Sequence, residues 1–322
     1  MRAPTSCALL FAAAPLLSPG LHGMSVESDV CEWPKEFRPL YGEEWLDKRT
    51  RAVRLPNTAT ETRVYATDDT AHFWDLVDRG AWEPLTFEVI RVLHSYAPGA
   101  HVDIGAWVGP TSLHAAHFAR GPVYSLEPDP RAFSQLHANV LLNPSLSSNG
   151  RMRVFRHCIG SSTGPVLMSG PGKMGDSMSR VHAADASAPV GPITWPAQCS
   201  TMADFMGGMG LLPADVALIK VDTEGAELVI LPSIVAWLDS LRGLDTTAGS
   251  KPPLLIEMHP PFWGRPSVEV HAELAPLLAR WEHVYCFNES QSGLLADCTA
   301  PLVRYNLLLT DTPMFIRQED QE

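Results

Sequence analysis

Short apolar runs of strand length alternate with amphipathic runs of helix length from Pro98 onward. This alternation is typical of a doubly wound α/β fold, in which a mostly parallel sheet carries helices on both faces. The last two apolar runs lie close together, which predicts a closing antiparallel hairpin. The seven predicted strands span residues 101–104, 123–126, 153–159, 216–221, 254–258, 283–287 and 303–309. The predicted helices include residues 111–119, 131–142, 226–241 and 268–281.

The sequence predicts three parts. In residues 1–23, Arg2 precedes an apolar run and Ser18-Pro19-Gly20, a pattern shared by cleaved targeting peptides and disordered leaders. The run is too short to span a bilayer. A functional leader would direct the chain to a secretory route or an organelle, and otherwise we expect a cytoplasmic location. Residues 24–97 are predicted as a helical and loop-rich extension, and residues 98–317 as the α/β domain.

Within the α/β domain, residues 164–196 are rich in Gly, Pro, Ser and Ala. We predict a long loop there. It is either a mobile cover over a binding pocket or a surface insertion, since long loops inside compact domains serve both purposes.

Charge and cysteine content limit the function classes. The formal net charge is −12 and no dense Lys/Arg cluster is present, so a nucleic-acid partner is disfavoured. The six cysteines are widely spaced and form no CxxC pair, which predicts neither a disulfide framework nor a zinc cluster. Cys158 and Cys286 lie in apolar runs and are predicted to be small buried hydrophobes.

The first predicted strand runs into a glycine-containing turn, Asp103-Ile104-Gly105-Ala106-Trp107-Val108-Gly109, and Pro110 then suits the first turn of a helix. A strand, such a turn and a helix N-terminus together form a backbone cradle for a ligand. A dinucleotide fold requires G-x-G-x-x-G, whose second glycine lets the backbone approach a pyrophosphate. Trp107 occupies that position here, which favours a ligand without a pyrophosphate.

Two acids flank this turn at strand ends. Glu127 ends the second strand, 18 positions after Gly109 (127 − 109). A carboxylate there accepts hydrogen bonds from ribose hydroxyls in nucleoside-binding α/β folds. Asp103 ends the first strand and suits a positively charged part of the same ligand. Either acid could instead cap a helix, but the pair together with the glycines favours a binding site.

Residues 101–113, 124–128, 219–227 and 255–260 resemble the FkbM-type methyltransferases, above all in the motif Ile-Lys-Val-Asp-Thr-Glu-Gly-Ala-Glu at residues 219–227. The resemblance covers about residues 71–309, and Trp107 departs from the small polar residue that the family favours. It implies a Rossmann-like class I methyltransferase fold with S-adenosylmethionine as cofactor. It also implies methyl transfer, often to hydroxyls of sugars or polyketides. The cofactor-binding residues that we predict on this basis are Asp103, Gly105, Ala106, Trp107, Gly109, Glu127, Pro128, Cys158 and Ile159.

Acids and a histidine end the fourth and fifth predicted strands. Asp222 and Glu224 follow the fourth strand, and Glu257 and His259 end the fifth on one side of it. Because ligands of open α/β sheets bind at the carboxyl ends of the strands, we expect these groups to meet there. We predict Asp222 as the acceptor-side acid and His259 as the base, with Glu257 beside them.

Other interpretations of these acids stay open. Glu224 and Glu227 could simply favour the N-terminus of the following helix. Asp222, Glu257 and His259 are also ligand types that suit Mg²⁺, Mn²⁺ or Fe²⁺, although no metal is assigned from the sequence.

The resemblance to the FkbM-type methyltransferases implies O-methylation of a small-molecule or carbohydrate acceptor, and this is the predicted function. One alternative is a non-catalytic adenosylmethionine-binding protein. A nucleotide-dependent oxidoreductase is less favoured because the G-x-G-x-x-G turn is absent. Aromatic residues that could line the acceptor pocket are Trp82, Trp195, Phe262 and Trp263.

Overall fold

The computed structural model describes residues 49–170, 175, 180–182, 193–241, 251–288, 291–295 and 304–314. The predicted leader and residues 24–48 of the predicted extension lie outside the described residues, as does the end of the predicted domain at 315–317.

An eight-stranded sheet forms the centre of the protein. Its strands are β3 (Ala100–Ile104), β4 (Val123–Leu126), β5 (Met152–Phe155), β10 (Val216–Val221), β11 (Leu254–Met258), β12 (His283–Asn288), β13 (Gln291–Leu295) and β14 (Tyr305–Thr310). They lie in the order β13-β12-β14-β11-β10-β3-β4-β5. The five strands from β11 to β5 are parallel, while β14 pairs antiparallel with both β11 and β12, and β13 adds an outer antiparallel strand.

The predicted α/β class is confirmed, and helices cover both faces of the sheet as expected. The helices are α1 (Ala71–Asp78), α2 (Pro84–Tyr96), α3 (Pro110–Phe118), α4 (Pro130–Leu141), α5 (Pro144–Ser147), α6 (Met202–Met209), α7 (Glu227–Ser240) and α8 (Ser267–Leu278). On one face α6, α7 and α8 pack against the sheet, and on the other face α1 to α5 do so. None of the helices in the described part of the chain combines the length and the apolar character needed to cross a membrane.

The extension is not purely helical. A two-stranded antiparallel hairpin of β1 (Thr50–Val53) and β2 (Thr62–Tyr65) precedes α1 and α2. Val53 and Val64 are buried in the core that α2 and α3 share. The hairpin thus belongs to the same hydrophobic core as the domain. The prediction of a helical and loop-rich extension is corrected, for its described part, to a hairpin followed by two helices.

The predicted third strand and the predicted loop at 164–196 are both corrected. Only β5 joins the main sheet, whereas Cys158–Ile159 forms a separate strand, β6. The loop region contains β7 (Gly164–Gly170), β8 (Arg180–His182) and the start of β9 (Ile193–Ser200), and with β6 they form a second sheet of order β6-β9-β7-β8. The rest of the predicted loop lies outside the described residues, apart from Gly175.

The strand β9 shows why composition misled the prediction. Trp195, Ala197 and Cys199 are buried while Thr194 and Gln198 are exposed, which is the period of two expected for a half-buried strand. Pro196 within this strand argues against it, because proline cannot donate a hydrogen bond to a ladder. In the folded protein, packing of the alternate side chains against the second sheet's core keeps this segment a strand despite the proline.

The cysteine prediction is wrong for one pair. Cys158 and Cys199 lie opposite each other in the parallel pairing of β6 with β9 and form a disulfide bond. They are 41 residues apart in sequence, so their spacing gave no signal. Cys286 is buried in the core, as expected.

Candidate functional site

A cavity of about 210 Å³ opens at the carboxyl ends of β3, β4 and β10. This is the edge of the sheet at which ligands bind in open α/β folds. Among the predicted site residues, those that line it are Gly105, Ala106, Trp107, Glu127, Pro128, Cys158, Ile159 and Asp222. Four other predicted site residues do not line the cavity. Gly109 lies in the turn that supports the lining, and Asp103, Glu257 and His259 lie close behind the lining.

The turn after β3 requires both of its glycines. Gly105 has φ of +82°, and a Cβ there would lie 1.8 Å from the carbonyl oxygen of Asp222. Gly109 has φ of +92°, and its Cβ would lie 2.6 Å from a methyl carbon of Leu136 on α4. The glycine spacing therefore lets the turn pass against the end of β10 and lets α3 begin beside α4.

Glu127 faces the cavity and is fixed by two backbone groups. The N–H of Trp107 donates to its Oε2 and the N–H of Asp129 to its Oε1, both at 2.8 Å. Burial raises the pKa of Glu127 to about 8, against the lowering effect of these hydrogen bonds. Each carboxylate oxygen has a further acceptor position, so Glu127 can still bind donors inside the cavity.

Asp103 is buried below the cavity. It accepts hydrogen bonds from Thr111 Oγ1 at 2.7 Å and Ser112 Oγ at 2.6 Å, both in the first turn of α3. Its Oδ1 lies 3.5 Å from Nζ of Lys220. The geometry gives Asp103 the role of holding α3 and Lys220 in place, and direct contact with a cofactor remains a prediction.

Lys220, which sequence reasoning passed over, connects the two halves of the site. It lies on β10 with a side chain 4% exposed, between Asp103 and Asp222, whose Oδ2 is 3.2 Å from Nζ. Burial by itself lowers the pKa of Lys220, but the Asp222 and Asp103 carboxylates outweigh it and raise this pKa above its ordinary value. The signal available in the sequence was a lysine inside an otherwise apolar strand.

A group of four acids surrounds His259, and we call the five residues Asp222, Glu224, Glu227, Glu257 and His259 the acid cluster. Nδ1 of His259 donates to Glu227 Oε1 at 3.1 Å. Nε2 lies 3.8 Å from Asp222 Oδ1, 3.7 Å from Glu224 Oε2 and 3.8 Å from Glu257 Oε1. The predicted convergence of these strand ends is therefore present.

The charges in the acid cluster shift each other's pKa values. Burial lowers the pKa of His259, but the hydrogen bond to Glu227 and the neighbouring Asp222 outweigh it and raise this pKa to about 9. Burial raises the pKa of Glu224 to about 7. For Asp222, burial is opposed by Lys220 and His259, and its pKa is lowered. His259 is thus an imidazolium at neutral pH, which does not suit the predicted role of base.

Arg304 and Glu83 complete the site from distant parts of the chain. Arg304 lies just before β14 and contacts the carboxylates of Glu83 and Glu257. Glu83 precedes α2, is almost fully buried and lines the cavity with Arg304. They are 221 residues apart, so only the fold reveals their pairing.

Aromatic rings form one side of the cavity. The ring of Phe73 lies 5.0 Å from that of Trp82 and 4.5 Å from that of Trp107, in edge-to-face contacts. Of the aromatic residues predicted to line an acceptor pocket, only Trp82 is among the lining residues described. Trp195 packs in the core of the second sheet, and Trp263 is buried with its Nε1 donating to Glu227.

The cavity also concentrates strained backbone. Non-glycine residues with positive φ in the described chain include Glu83 (+44°), Trp107 (+47°) and Glu224 (+50°), all of which line the cavity. Such conformations cost about 1–3 kcal/mol each and persist where surrounding structure enforces them, often at functional sites.

Comparison with known proteins identifies similar structures but no family. Neither a protein-family profile nor a curated protein matches the chain. Methyltransferase FkbM from Methylobacillus flagellatus KT is 15% identical over 76% of this chain and 55% of its own length, with a TM-score of 0.40. The O-methyltransferase from Bacillus cereus, in complex with SAH, is 10% identical over 71% of this chain and 80% of its own, with a TM-score of 0.36.

A third similar structure is precorrin-6y C5,15-methyltransferase from Geobacter metallireducens GS-15. It is 10% identical over 69% of this chain and 87% of its own, with a TM-score of 0.32. This chain spans just over half the length of the FkbM structure. The similar structures are methyltransferases, but identities and TM-scores this low carry no argument about activity. The strand order and the cavity define the protein as a Rossmann-like α/β protein with a site at the carboxyl edge of its sheet.

Proposed function

We propose that this protein is an S-adenosylmethionine-dependent methyltransferase that methylates a hydroxyl of a small-molecule or carbohydrate acceptor. One observation carries the proposal. Glu127, held by the backbone of the β3 turn, faces the same cavity as the carboxylates of Asp222 and Glu224. In this proposal, a nucleoside site at Glu127 lies beside an acidic acceptor site at Asp222 and Glu224.

The cofactor half of the proposal uses the β3 turn and the two strands beside it. Glu127 would accept hydrogen bonds from the ribose hydroxyls, with Pro128 beside it. The backbone of Gly105, Ala106 and Trp107 would border the methionine part. The adenine would lie against Cys158 and Ile159, which line the cavity.

The charge of the cavity supports a sulfonium ligand over a dinucleotide. Asp222 lines it with a lowered pKa and is therefore ionised at neutral pH, where it repels the negative charges of a pyrophosphate. Glu127 and Glu224 also line it, with pKa values raised to about 8 and about 7, and add negative charge as the pH rises. Trp107 fills the position where a dinucleotide fold needs glycine. A cofactor whose reacting centre is positively charged suits these surroundings.

The reaction is an in-line displacement. A lone pair of the acceptor oxygen forms the new O–C bond, the C–S bond breaks with its electron pair moving to sulfur, and the hydroxyl proton passes to a base. Orientation of the two reactants can supply about 7–11 kcal/mol, and a positioned base about 10²–10⁴-fold in rate. Because Glu224 and Asp222 face the cavity and His259 does not, we place the base at one of these carboxylates rather than at His259.

Calorimetric titration of S-adenosylmethionine into the purified chain tests the proposal. We expect binding by the wild-type protein, no binding of NAD⁺, and loss of S-adenosylmethionine binding in Glu127→Ala. Glu88→Gln, which changes an acid outside the cavity, is the matched control. A folded wild-type protein that ignores S-adenosylmethionine refutes the proposal, while binding without turnover on a broad set of hydroxyl acceptors favours a non-catalytic binding protein.

A further inference from the structure

We propose that Asp222, Glu257 and His259 form a binding site for one divalent metal ion of the Mn²⁺ or Mg²⁺ type. The inference extends the proposed function, because Asp222 borders the cavity assigned above to cofactor and acceptor. The three side chains offer one ligand atom each, and these atoms all lie within 4.8 Å of one another.

The orientation of His259 is the first argument. Its Nδ1 donates to Glu227, which fixes the ring and directs Nε2 at the three other carboxylates. Nε2 is buried and makes no hydrogen bond to any of the described residues. Histidines that bind metals commonly donate their other ring N–H to a carboxylate in this way.

Glu227 is itself held in place, which makes the support of His259 rigid. Its Oε1 accepts from the backbone N–H of Gly225 at 2.9 Å, and its Oε2 accepts from Trp263 Nε1 at 3.2 Å. A ligating histidine needs this kind of fixed outer partner, because the partner sets which nitrogen carries the lone pair.

The balance of charge is the second argument. Carboxylates withdrawn from water need compensating cations. The acid cluster has four carboxylates, of which Glu227 and Glu257 are buried and Asp222 and Glu224 are half-buried. The neighbouring cations in the described structure, Lys220 and Arg304, are shared with two further acids, Asp103 and Glu83. A divalent ion in place of a proton on Nε2 would offset the remaining negative charge.

The distances suit an ion after small movements. Bonds from Mg²⁺ to oxygen are about 2.0–2.1 Å. Asp222 Oδ1 and Glu257 Oε1 each lie 3.8 Å from His259 Nε2, and one ligand atom of each residue lies within 4.8 Å of the others, so short movements bring all three to one ion. Arg304 contacts Glu257 Oε1, but its side chain is 49% exposed and can remain with Glu83 when Glu257 turns to an ion. Two carboxylates and one imidazole, with no thiolate, favour Mn²⁺ or Mg²⁺.

An ion at this position would also serve the proposed reaction. Asp222 borders the cavity, so the open coordination positions would face an acceptor hydroxyl. A divalent cation binds such an oxygen, lowers the pKa of its proton and orients it towards the methyl donor.

Titration of MnCl₂ into chelator-treated protein, followed by electron paramagnetic resonance, tests the site without any turnover. We expect one Mn²⁺ per chain in the wild type and at least 100-fold weaker binding in Glu257→Gln and His259→Gln. Glu227→Gln should weaken binding by about 10–100-fold, because it removes only the outer partner of His259. The matched control is Glu127→Gln, which changes a buried acid of the same cavity and should leave Mn²⁺ binding unchanged.

Spin-echo modulation from an imidazole nitrogen provides a second measurement that does not depend on how well a variant folds. It should be present in the Mn²⁺-loaded wild type. Binding that is equally tight in wild type and both ligand variants, or bound Mn²⁺ without the nitrogen signal, would overturn the site. Titration of S-adenosylmethionine without metal separates the two proposals: cofactor binding without Mn²⁺ binding rejects only the metal, and the reverse rejects only the cofactor.

Discussion

The two walls of the cavity are held in place by different kinds of interaction. The turn wall, which consists of residues 105–109 and Glu127, is held by backbone hydrogen bonds and by two glycines close together in sequence. The acid cluster is held by contacts between side chains from β10, α7, β11 and the segment before β14. A wall held by backbone hydrogen bonds keeps its structure through many side-chain substitutions. A wall held by buried charges loses stability when any one charged partner is removed.

Gly105 is the point where the two walls touch, so its substitution should have the largest effect. In Gly105→Ala, a positive φ costs about 1–3 kcal/mol, and overlap with the Asp222 carbonyl adds about 1–3 kcal/mol. We expect loss of most of the folding stability in chemical denaturation. Gly207→Ala is the control, because Gly207 lies within α6 and a Cβ there meets nothing within 4 Å. Equal stability of the two variants would contradict this view of the turn.

Lys220→Met should have the next largest effect, because Lys220 is the cation shared by both walls. Removing one partner of a buried ion pair costs about 3–5 kcal/mol, and here it leaves both Asp103 and Asp222 without that charge. Urea denaturation at pH 7 measures the loss. The matched variant Lys251→Met removes a more exposed partner of Asp311 and should cost about 0–1 kcal/mol. If both variants lose the same stability, Lys220 is not the connecting charge.

The disulfide between Cys158 and Cys199 joins two strands of the second sheet, β6 and β9, and Cys158 also lines the cavity, as Glu127 of the turn wall does. It closes a loop of about 41 residues, for which chain entropy gives about 2–4 kcal/mol. Cys199→Ser should therefore lower the melting temperature, and reductant should lower that of the wild type but not of the variant. Cys286→Ser is the control because Cys286 is not in a disulfide. Alkylation of both Cys158 and Cys199 in the unreduced, denatured wild type would show that the bond does not form.

Glu127→Gln should have the smallest effect on folding and a selective effect on binding. We expect S-adenosylmethionine affinity to fall by about 10-fold or more, since one of the two buried carboxylate oxygens that can accept from hydroxyl donors is replaced by an NH₂ donor. Wild-type affinity should rise with pH as Glu127 ionises near pH 8. Burial is the main cause of this raised pKa, and the nearby acids Asp129 and Asp103 also raise it. Calorimetry from pH 6.5 to 9 should show this rise in the wild type and a flat profile in the variant.

Glu127 also predicts how the folding stability depends on pH, and here the effect of rising pH is opposite to its effect on binding. Its pKa is higher in the folded chain than the ordinary 4.5, so the folded state binds more protons between about pH 4.5 and 8. Stability therefore falls as the pH rises through that window. Glu127→Gln should reduce this fall and should be the more stable protein at pH 9. A wild type that gains stability over the window relative to the variant would show that Glu127 is not the buried acid described.

The turn wall was largely predictable. Gly105, Ala106, Trp107 and Glu127 were assigned from a strand, a glycine spacing and a second strand end, all of which are local features. Cys158 and Ile159 were placed near the cavity as well, although the disulfide was not foreseen. The convergence of Asp222, Glu257 and His259 followed from the rule that parallel strands end at one edge.

Other parts of the site needed the tertiary structure. The sequence by itself determined most strands and helices of the α/β domain and the position of the β3 turn, because hydrophobic periodicity and glycine conformation act over a few residues. Only the tertiary structure decided that Arg304 meets Glu83 and Glu257, that Lys220 joins Asp103 to Asp222, and that the Gly/Pro-rich segment pairs into a second sheet. These partners are brought together by closure of the chain over long separations, and the buried charges then fix one another's ionisation. No local pattern carries that information.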